Sequence, residues 1–164
     1  MFNNATGGFI VSESSWGPDN ELNMIPHVAA PGGNIFSTFL LSQGGYATFH
    51  GTSMSTPYMS GIVALYLSAN GPTAPLELKN RFVSTADPVE FNNGVTTMEG
   101  LLAPVPQQGG GLVNAVRFLK ATTVISPAYL ELNVYHYEIQ LIFRIPPIFE
   151  ENRSCPSGII GTSQ

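Results

Sequence analysis

The segment from Tyr58 to Ala69 is apolar on nearly every side, carries no charge, and is bracketed by strong local signals. Met59, Ile62, Val63, Leu65 and Leu67 surround it, while Ser55, Ser60, Gly61 and Ala64 keep part of its girth narrow. A chain with such a stretch folds it as a helix packed closely against neighbours, because a surface helix is apolar along one stripe only. Asn70-Gly71-Pro72 stops it, and Pro57 falls in the first turn, where a missing N–H is tolerated. These signals predict a buried helix over about 53–69. Gly61 in its interior costs roughly 1 kcal/mol relative to Ala, and close backbone packing is the expected compensation.

The approach to this helix is His50-Gly51-Thr52-Ser53-Met54-Ser55-Thr56-Pro57. A serine between a tight glycine turn and a helix start is well placed for a nucleophile. The first backbone N–H groups of a helix have no intrahelical partners, and the dipole there favours negative charge. An oxyanion forming beside Ser53 would meet donors already in place. The plain alternative is a helix cap, a role that Ser and Thr commonly fill.

The longer run Gly51 to Gly61 resembles the nucleophile segment of the subtilisin-like serine proteases, the subtilases. The family pattern reads Gly-Thr-Ser-Met-Ala/Ser-Thr-Pro-His, two residues, then Gly; Tyr58 stands where His is usual. Ser14-Ser15-Trp16-Gly17-Pro18 and Val28-Ala29-Ala30-Pro31-Gly32-Gly33-Asn34-Ile35 resemble the family's Ser-Ser-x-Gly and Ala-Pro-Gly-x-x-Ile stretches. Gly109-Gly110-Gly111-Leu112-Val113-Asn114-Ala115 is similar to the Gly-x-Gly-x-x-Asn-Ala that closes the catalytic domain. The motifs stand in family order over residues 8 to 121.

The resemblance implies an acyl-transfer enzyme with Ser53 as nucleophile, its own N–H as an oxyanion donor, Thr52 supporting that hole and Met54 packing behind the serine. In the family the triad follows the chain order Asp, His, Ser. No Asp-Ser/Thr-Gly or His-Gly-Thr motif precedes Ser53 here, and neither does the oxyanion Asn. Asp19, the only Asp before Ser53, sits in the turn signature Gly17-Pro18-Asp19-Asn20. His27 occupies the place of a family Asp in a buried strand. For His27, His50 and His136 the expectation is an ordinary structural or surface position. The chain therefore reads as a fragment that requires the missing amino-terminal part of the catalytic domain and has negligible activity alone.

Composition narrows the partners. With 43% hydrophobic and 10% charged residues, the chain is globular rather than disordered. Six Lys and Arg at a net charge of −5 give no basic patch for nucleic acid. No metal or cofactor is expected. The single Cys155 rules out an internal disulfide. Met1-Phe2-Asn3-Asn4 is not a signal peptide, and no apolar run reaches the length of a membrane span. An extracellular location follows from the resemblance, with a peptide or protein as substrate.

Elsewhere the chain reads as α/β: the carboxy-terminal portion of a subtilisin-like parallel-sheet sandwich with a buried nucleophile helix, plus a short truncated β tail. Strands are expected at Phe9–Val11, Pro26–Ala30, Asn34–Phe36 and Tyr46–His50, with a turn at Gln43-Gly44-Gly45. A helix is predicted from Pro75 to about Ser84, capped by Thr73, with Leu76, Leu78, Phe82 and Val83 inward and Glu77, Lys79 and Asn80 outward. Residues 87–106 read as irregular, and Gly111 to Ala121 as a third helix. Residues 1–121 form the catalytic part. From 122 to 164, Val124-Ile125-Ser126-Pro127 and Leu130-Glu131-Leu132-Asn133 resemble the opening of the β-sandwich that follows the catalytic domain in large subtilases, with one more strand expected over Tyr137–Ile145. About 40 residues are too few for a sandwich of about 100.

Two other classes compete. One is a non-catalytic interaction fragment or pseudoenzyme. The other is a phosphate binder using glycine loops, which is weak because no Gly-Lys-Ser/Thr element follows any glycine run.

Overall fold

The computed structural model of the chain describes residues 7–92, 97–129 and 142–144. Helices α1 (Thr52–Asn70), α2 (Pro75–Thr85), α3 (Val105–Gln108) and α4 (Ala115–Lys120) alternate with short strands. These are β1 (Ile35–Thr38), β2 (Tyr46–Phe49), β3 (Glu90–Asn92), β4 (Thr97–Leu102), β5 (Val124–Ser126) and β6 (Ile142–Arg144). The fold is mixed α/β.

The strands form three separate two-stranded antiparallel pairs: β1 with β2, β3 with β4, and β5 with β6. The expected parallel-sheet sandwich is not present among the described residues. The reason lies in the connections. One turn of 3-10 helix at Leu41–Gln43 and the left-handed Gly44 are all that separate β1 from β2, and so short a link permits only antiparallel pairing. Among the described residues, parallel pairing is confined to a single bridge, Ala29 with Leu112.

That bridge nonetheless organises the chain. The Ala29 N–H donates to the Gly111 carbonyl at 2.8 Å, and the Val113 N–H donates to the Ala29 carbonyl at 2.8 Å. On its other side, Leu112 exchanges both backbone bonds with Asp87, at 2.7 and 2.8 Å. Residues 111–113 are thus an extended segment between two others, not the start of a helix as expected. Gly111 has φ +118, and a Cβ there would lie 2.3 Å from the Asp87 carbonyl oxygen. The glycine run serves close backbone passage, and α4 begins only at Ala115. Asn114 caps it: its side-chain oxygen accepts from the Arg117 N–H at 2.9 Å, while its amide nitrogen donates to Asp87 Oδ2 at 2.7 Å.

The core gathers Ile62 and Tyr66 of α1, Phe82 of α2, Val113, and Phe118 of α4. Phe118 is fully buried, stacked on Phe82 at 3.9 Å and met edge-on by Tyr66 at 5.3 Å. Burying such a ring stabilises by roughly 2–3 kcal/mol.

Helix α1 matches its predicted bounds to within a residue at each end. Its predicted burial is not realised: only Ile62 and Tyr66 are buried, and Leu65 is 61% exposed. An all-round apolar helix needs cover on every side, and the described residues cover one.

Other expectations also change. Phe9–Val11 is turn and coil rather than strand. Thr73 does not cap α2; Ala74 holds the cap position, and the Thr73 hydroxyl donates to the Gly71 carbonyl at 3.2 Å. The faces assigned to α2 are partly exchanged, because Asn80, expected outward, is buried while Leu76, expected inward, is 62% exposed. Residues 87–106 are not irregular but hold β3, β4 and α3. The base of that hairpin is closed by buried Gln108, whose Oε1 accepts from the Val89 N–H at 2.8 Å and whose Nε2 donates to the Ala103 carbonyl. Such a clip joins residues 14 apart and leaves no periodic trace in sequence.

After α4, β5 lies against α2. The Asn80 side chain donates to the Ser126 hydroxyl at 3.2 Å and accepts from the Ala128 N–H. The stretch 130–133 and most of Tyr137–Ile145 lie outside the described residues; β6 falls within the latter.

Candidate active-site segment

Gly51 is the residue that turns β2 into α1. Its φ of 129 and ψ of 168 lie where only glycine is comfortable. Being the N-cap, it has no side chain with which to cap. Thr52, Ser53 and Met54 therefore occupy the first three helical positions. Thr52 and Ser53 are exposed, and Met54 is half-buried. The Met54 N–H bonds back to the Gly51 carbonyl at 3.0 Å. The Thr52 and Ser53 N–H groups belong to the unfilled first turn.

This geometry removes the plain explanation of Ser53 as a helix cap. A capping Ser stands outside the helix with its hydroxyl turned toward the N–H groups two or three residues on. Ser53 instead lies inside the first turn with its side chain toward solvent.

The turn is held from behind. Gly51 N–H donates to the Gly32 carbonyl at 2.8 Å, and the Ser55 hydroxyl donates to the Ala30 carbonyl at 3.1 Å. Further along, the Thr56 hydroxyl donates to the Thr52 carbonyl at 3.2 Å. The Ala-Pro-Gly stretch and the serine turn, 21 residues apart at Gly32 and Ser53, are thus brought together by backbone contact.

Gly32 is the tightest point of that contact. A Cβ there would sit 2.4 Å from Ser55 Oγ and 2.7 Å from the Gly51 carbonyl oxygen. The serine hydroxyl can swing away, at the loss of its bond to Ala30; the carbonyl cannot. Gly32→Ala is expected to destabilise the chain by about 1–3 kcal/mol. Amide shifts should concentrate at residues 51–55. Urea denaturation with an unchanged midpoint would contradict this.

His27 and Asp19 have partners away from the serine turn. The His27 ring packs on Tyr129 at 5.1 Å, and the two line a cavity of about 330 Å³ with Met24 and Val83. Pro26 and Val28, one residue to either side, face the opposite way, toward α1. His50 is exposed, and His136 lies outside the described residues. Among the described residues, no three His, Cys, Asp or Glu side chains come together. No helix among them is long and apolar enough to cross a membrane.

Asp19 is occupied by its own turn. Its Oδ1 accepts from the N–H groups of Glu21 at 2.9 Å and Asn23 at 2.8 Å, and its Oδ2 accepts from Asn23 Nδ2 at 2.8 Å. The Asn23 side-chain bond, then the Asn23 and Glu21 amides, hold its carboxyl below the ordinary carboxylate range. The turn's support is therefore complete above the unfolded value of about 3.9 and is lost as pH falls through the lower folded value. An NMR titration of the Asn23 amide should inflect below about pH 3.9. An inflection above it would show that these bonds do not favour the charged form.

The sequence reading missed Arg81 and Gln107. Arg81 is buried, with Nε donating to the Phe118 carbonyl at 2.6 Å and a terminal nitrogen donating to the Ala121 carbonyl. Gln107 is buried, and its Oε1 has no hydrogen-bond partner among the described residues.

The structure thus joins three features: the exposed Ser53 in the first turn of α1, the glycine turn at Gly51, and the Ala-Pro-Gly loop that braces it. The chain belongs to the subtilase family: the family's model, peptidase S8, matches residues 2–109. Subtilisin-like protease SBT3.10 of Arabidopsis thaliana is 32% identical over 128 residues, which are 73% of this chain and 17% of that protein. Minor extracellular protease Vpr of Bacillus subtilis (strain 168) is 30% identical over 128 residues, covering 75% of this chain and 15% of the relative. The solved structure of prenylagaramide maturation protease PagA aligns over 69% of this chain and 40% of its own, at 21% identity and a TM-score of 0.45. The chain thus spans about one sixth of the length of the first of these relatives.

Proposed function

We propose that the chain carries the nucleophile segment of a secreted subtilisin-like serine endopeptidase, with Ser53 as the attacking residue. The carrying observation is that Ser53 is exposed within the first helical turn while Gly51 holds the cap position. The serine is thereby free of the structural role that most often accounts for a serine before a helix.

In this reading Ser53 Oγ attacks a peptide carbonyl while its proton passes to a histidine outside this chain, itself oriented by an aspartate. The new Oγ–C bond yields a tetrahedral oxyanion. The Ser53 N–H stabilises that charge, with Thr52 supporting the hole and Met54 filling space behind. Collapse expels the amine, which takes the proton from the histidine and leaves an acyl-enzyme for water to cleave. The chain's part ends near residue 121, and residues 122–164 begin a further β unit. An extracellular setting is supported by the Bacillus relative, a minor extracellular protease.

A second reading applies to the chain by itself: a non-catalytic interaction piece. The contact of His27 with Tyr129 and the closed turn of Asp19 favour it. Both readings meet one experiment. A fluorophosphonate should leave the isolated chain unlabelled and should label Ser53 once the upstream part of SBT3.10 is joined to it. Stoichiometric labelling of the isolated chain would refute the dependence on outside residues. No labelling of the joined protein, if folded, would refute Ser53 as nucleophile.

A further inference from the structure

The first turn of α1 is tied to the loop 30–32 on both sides of Ser53. Before it, the Gly51 N–H donates to the Gly32 carbonyl at 2.8 Å; after it, the Ser55 hydroxyl donates to the Ala30 carbonyl at 3.1 Å. Positions 53 and 55 lie about 200° apart round an α-helix. Ser55 therefore faces the loop, half-buried, when Ser53 faces solvent. Gly32 leaves the notch that the Ser55 hydroxyl fills: a Cβ at Gly32 would lie 2.4 Å from that oxygen.

The ties differ in kind. The first ends on Gly51, at φ 129 and ψ 168 and without a side chain. Glycine is the least restricted residue sterically, so its backbone can act as a swivel. This tie fixes where α1 starts and leaves the rotation of its first turn open. The buried residues of α1 begin at Ile62, about two turns beyond Ser55, and hold the middle of the helix rather than its start. The Ser55 hydroxyl lies off the helix axis and stops the rotation. An Oγ about 4 Å from that axis moves about 1 Å on a turn of about 15°. A misplacement of about 1 Å costs an enzyme about a hundredfold. The hydroxyls of Thr56 and Ser60 do not share this task, because they donate to the Thr52 and Thr56 carbonyls of α1 itself, at 3.2 and 3.1 Å.

We propose that Ser55 is a positioning residue for the Ser53 nucleophile: its hydroxyl, held on the Ala30 carbonyl in the notch of Gly32, sets the angle at which Ser53 Oγ meets a substrate. Ser55 touches no reacting atom. The proposal rests on the reading of Ser53 as nucleophile, and it adds a determinant of that serine's reactivity on the opposite side of the helix. Loss of the hydroxyl loosens the turn without unfolding the chain. Alanine is the best helix former, and one neutral hydrogen bond is a small part of global stability.

The test compares Ser55→Ala with Thr56→Ala, which removes the neighbouring hydroxyl that bonds only within α1. In the full chain, amide relaxation should give lower order parameters at Ser53 and Met54 for Ser55→Ala, and parent values for Thr56→Ala. The kinetic arm uses the protein completed by the upstream part of SBT3.10, at a temperature where each variant is fully folded. There Ser55→Ala should slow fluorophosphonate labelling of Ser53 and lower kcat, each by about tenfold, with KM unchanged. Thr56→Ala should stay within about twofold of the parent. A hydroxyl that only stabilises the fold would lower the melting temperature and leave the labelling rate of the folded variant unchanged, and that result would overturn the proposal. Unchanged order parameters, or an equal fall in both variants, would overturn it too. A folded parent that takes no label would refute Ser53 as nucleophile, and the order parameters would then decide the hold of Ser55 on the turn by themselves.

Discussion

Replacing Arg81 with alanine is expected to cost about 2–5 kcal/mol, because two backbone carbonyls lose their donor at about 1–3 kcal/mol each and a void is left behind. The guanidinium is buried, and among the described residues no carboxylate forms an ion pair with it. It is compensated by the Phe118 and Ala121 carbonyls at the end of α4, and by the Tyr66 ring, 4.8 Å below its central carbon. A cation at a helix C-terminus also answers the negative end of the dipole. Alanine removes both bonds and opens a void under Phe118, the best-buried ring in the core. Arg81→Met should cost less, because it refills the space and lifts the desolvation of the charge. Arg81→Lys should behave closer to alanine, since an ammonium cannot reach two carbonyls in a fork. Stability of a small domain is about 5–15 kcal/mol, so the alanine variant should unfold at markedly lower urea or lose its cooperative transition. A change below about 1 kcal/mol would show that water replaces the guanidinium at those carbonyls.

The second large effect concerns Ser53. In the enzyme completed by an upstream part, Ser53→Ala is expected to lower kcat by about a million-fold, the scale seen when a subtilisin loses its serine. Peptide affinity and the melting temperature should hardly move, because the hydroxyl is exposed and makes no cap. Thr52→Ala should cost far less. Residual activity within about tenfold of the parent would remove Ser53 from the chemistry. A large fall in stability would mean that the hydroxyl had a structural part after all.

What could be read from sequence was what local residues decide. Helix α1 was placed to within a residue because Gly51 at one end and Asn70-Gly71-Pro72 at the other act on their own neighbours. The turn at Gln43–Gly45 and strand β2 followed for the same reason. Burial was not legible, because it belongs to the pair rather than to the helix. An all-round apolar α1 announces that it wants cover and says nothing of whether this chain supplies it. The face of helix α2 is hard to read for a related reason: Asn80 looks like a solvent residue until its partners arrive at Ser126 and Ala128, 46 and 48 residues later. The glycine run at 109–111 resembled a helix approach, yet its lack of side chains serves three backbones passing at close range. At the candidate site, the serine's position in the turn was legible. The exclusion of the capping role was not, since it depends on one pair of torsion angles at Gly51.

The clip at Gln108 has a consequence for how such a protein varies. One side chain ties Val89 and Ala103, the two feet of the β3–β4 excursion, to the end of α3, so the pair of strands is anchored at its base. Substitutions within β3 or β4 are therefore expected to leave Gly32, Gly51 and Ser53 undisturbed.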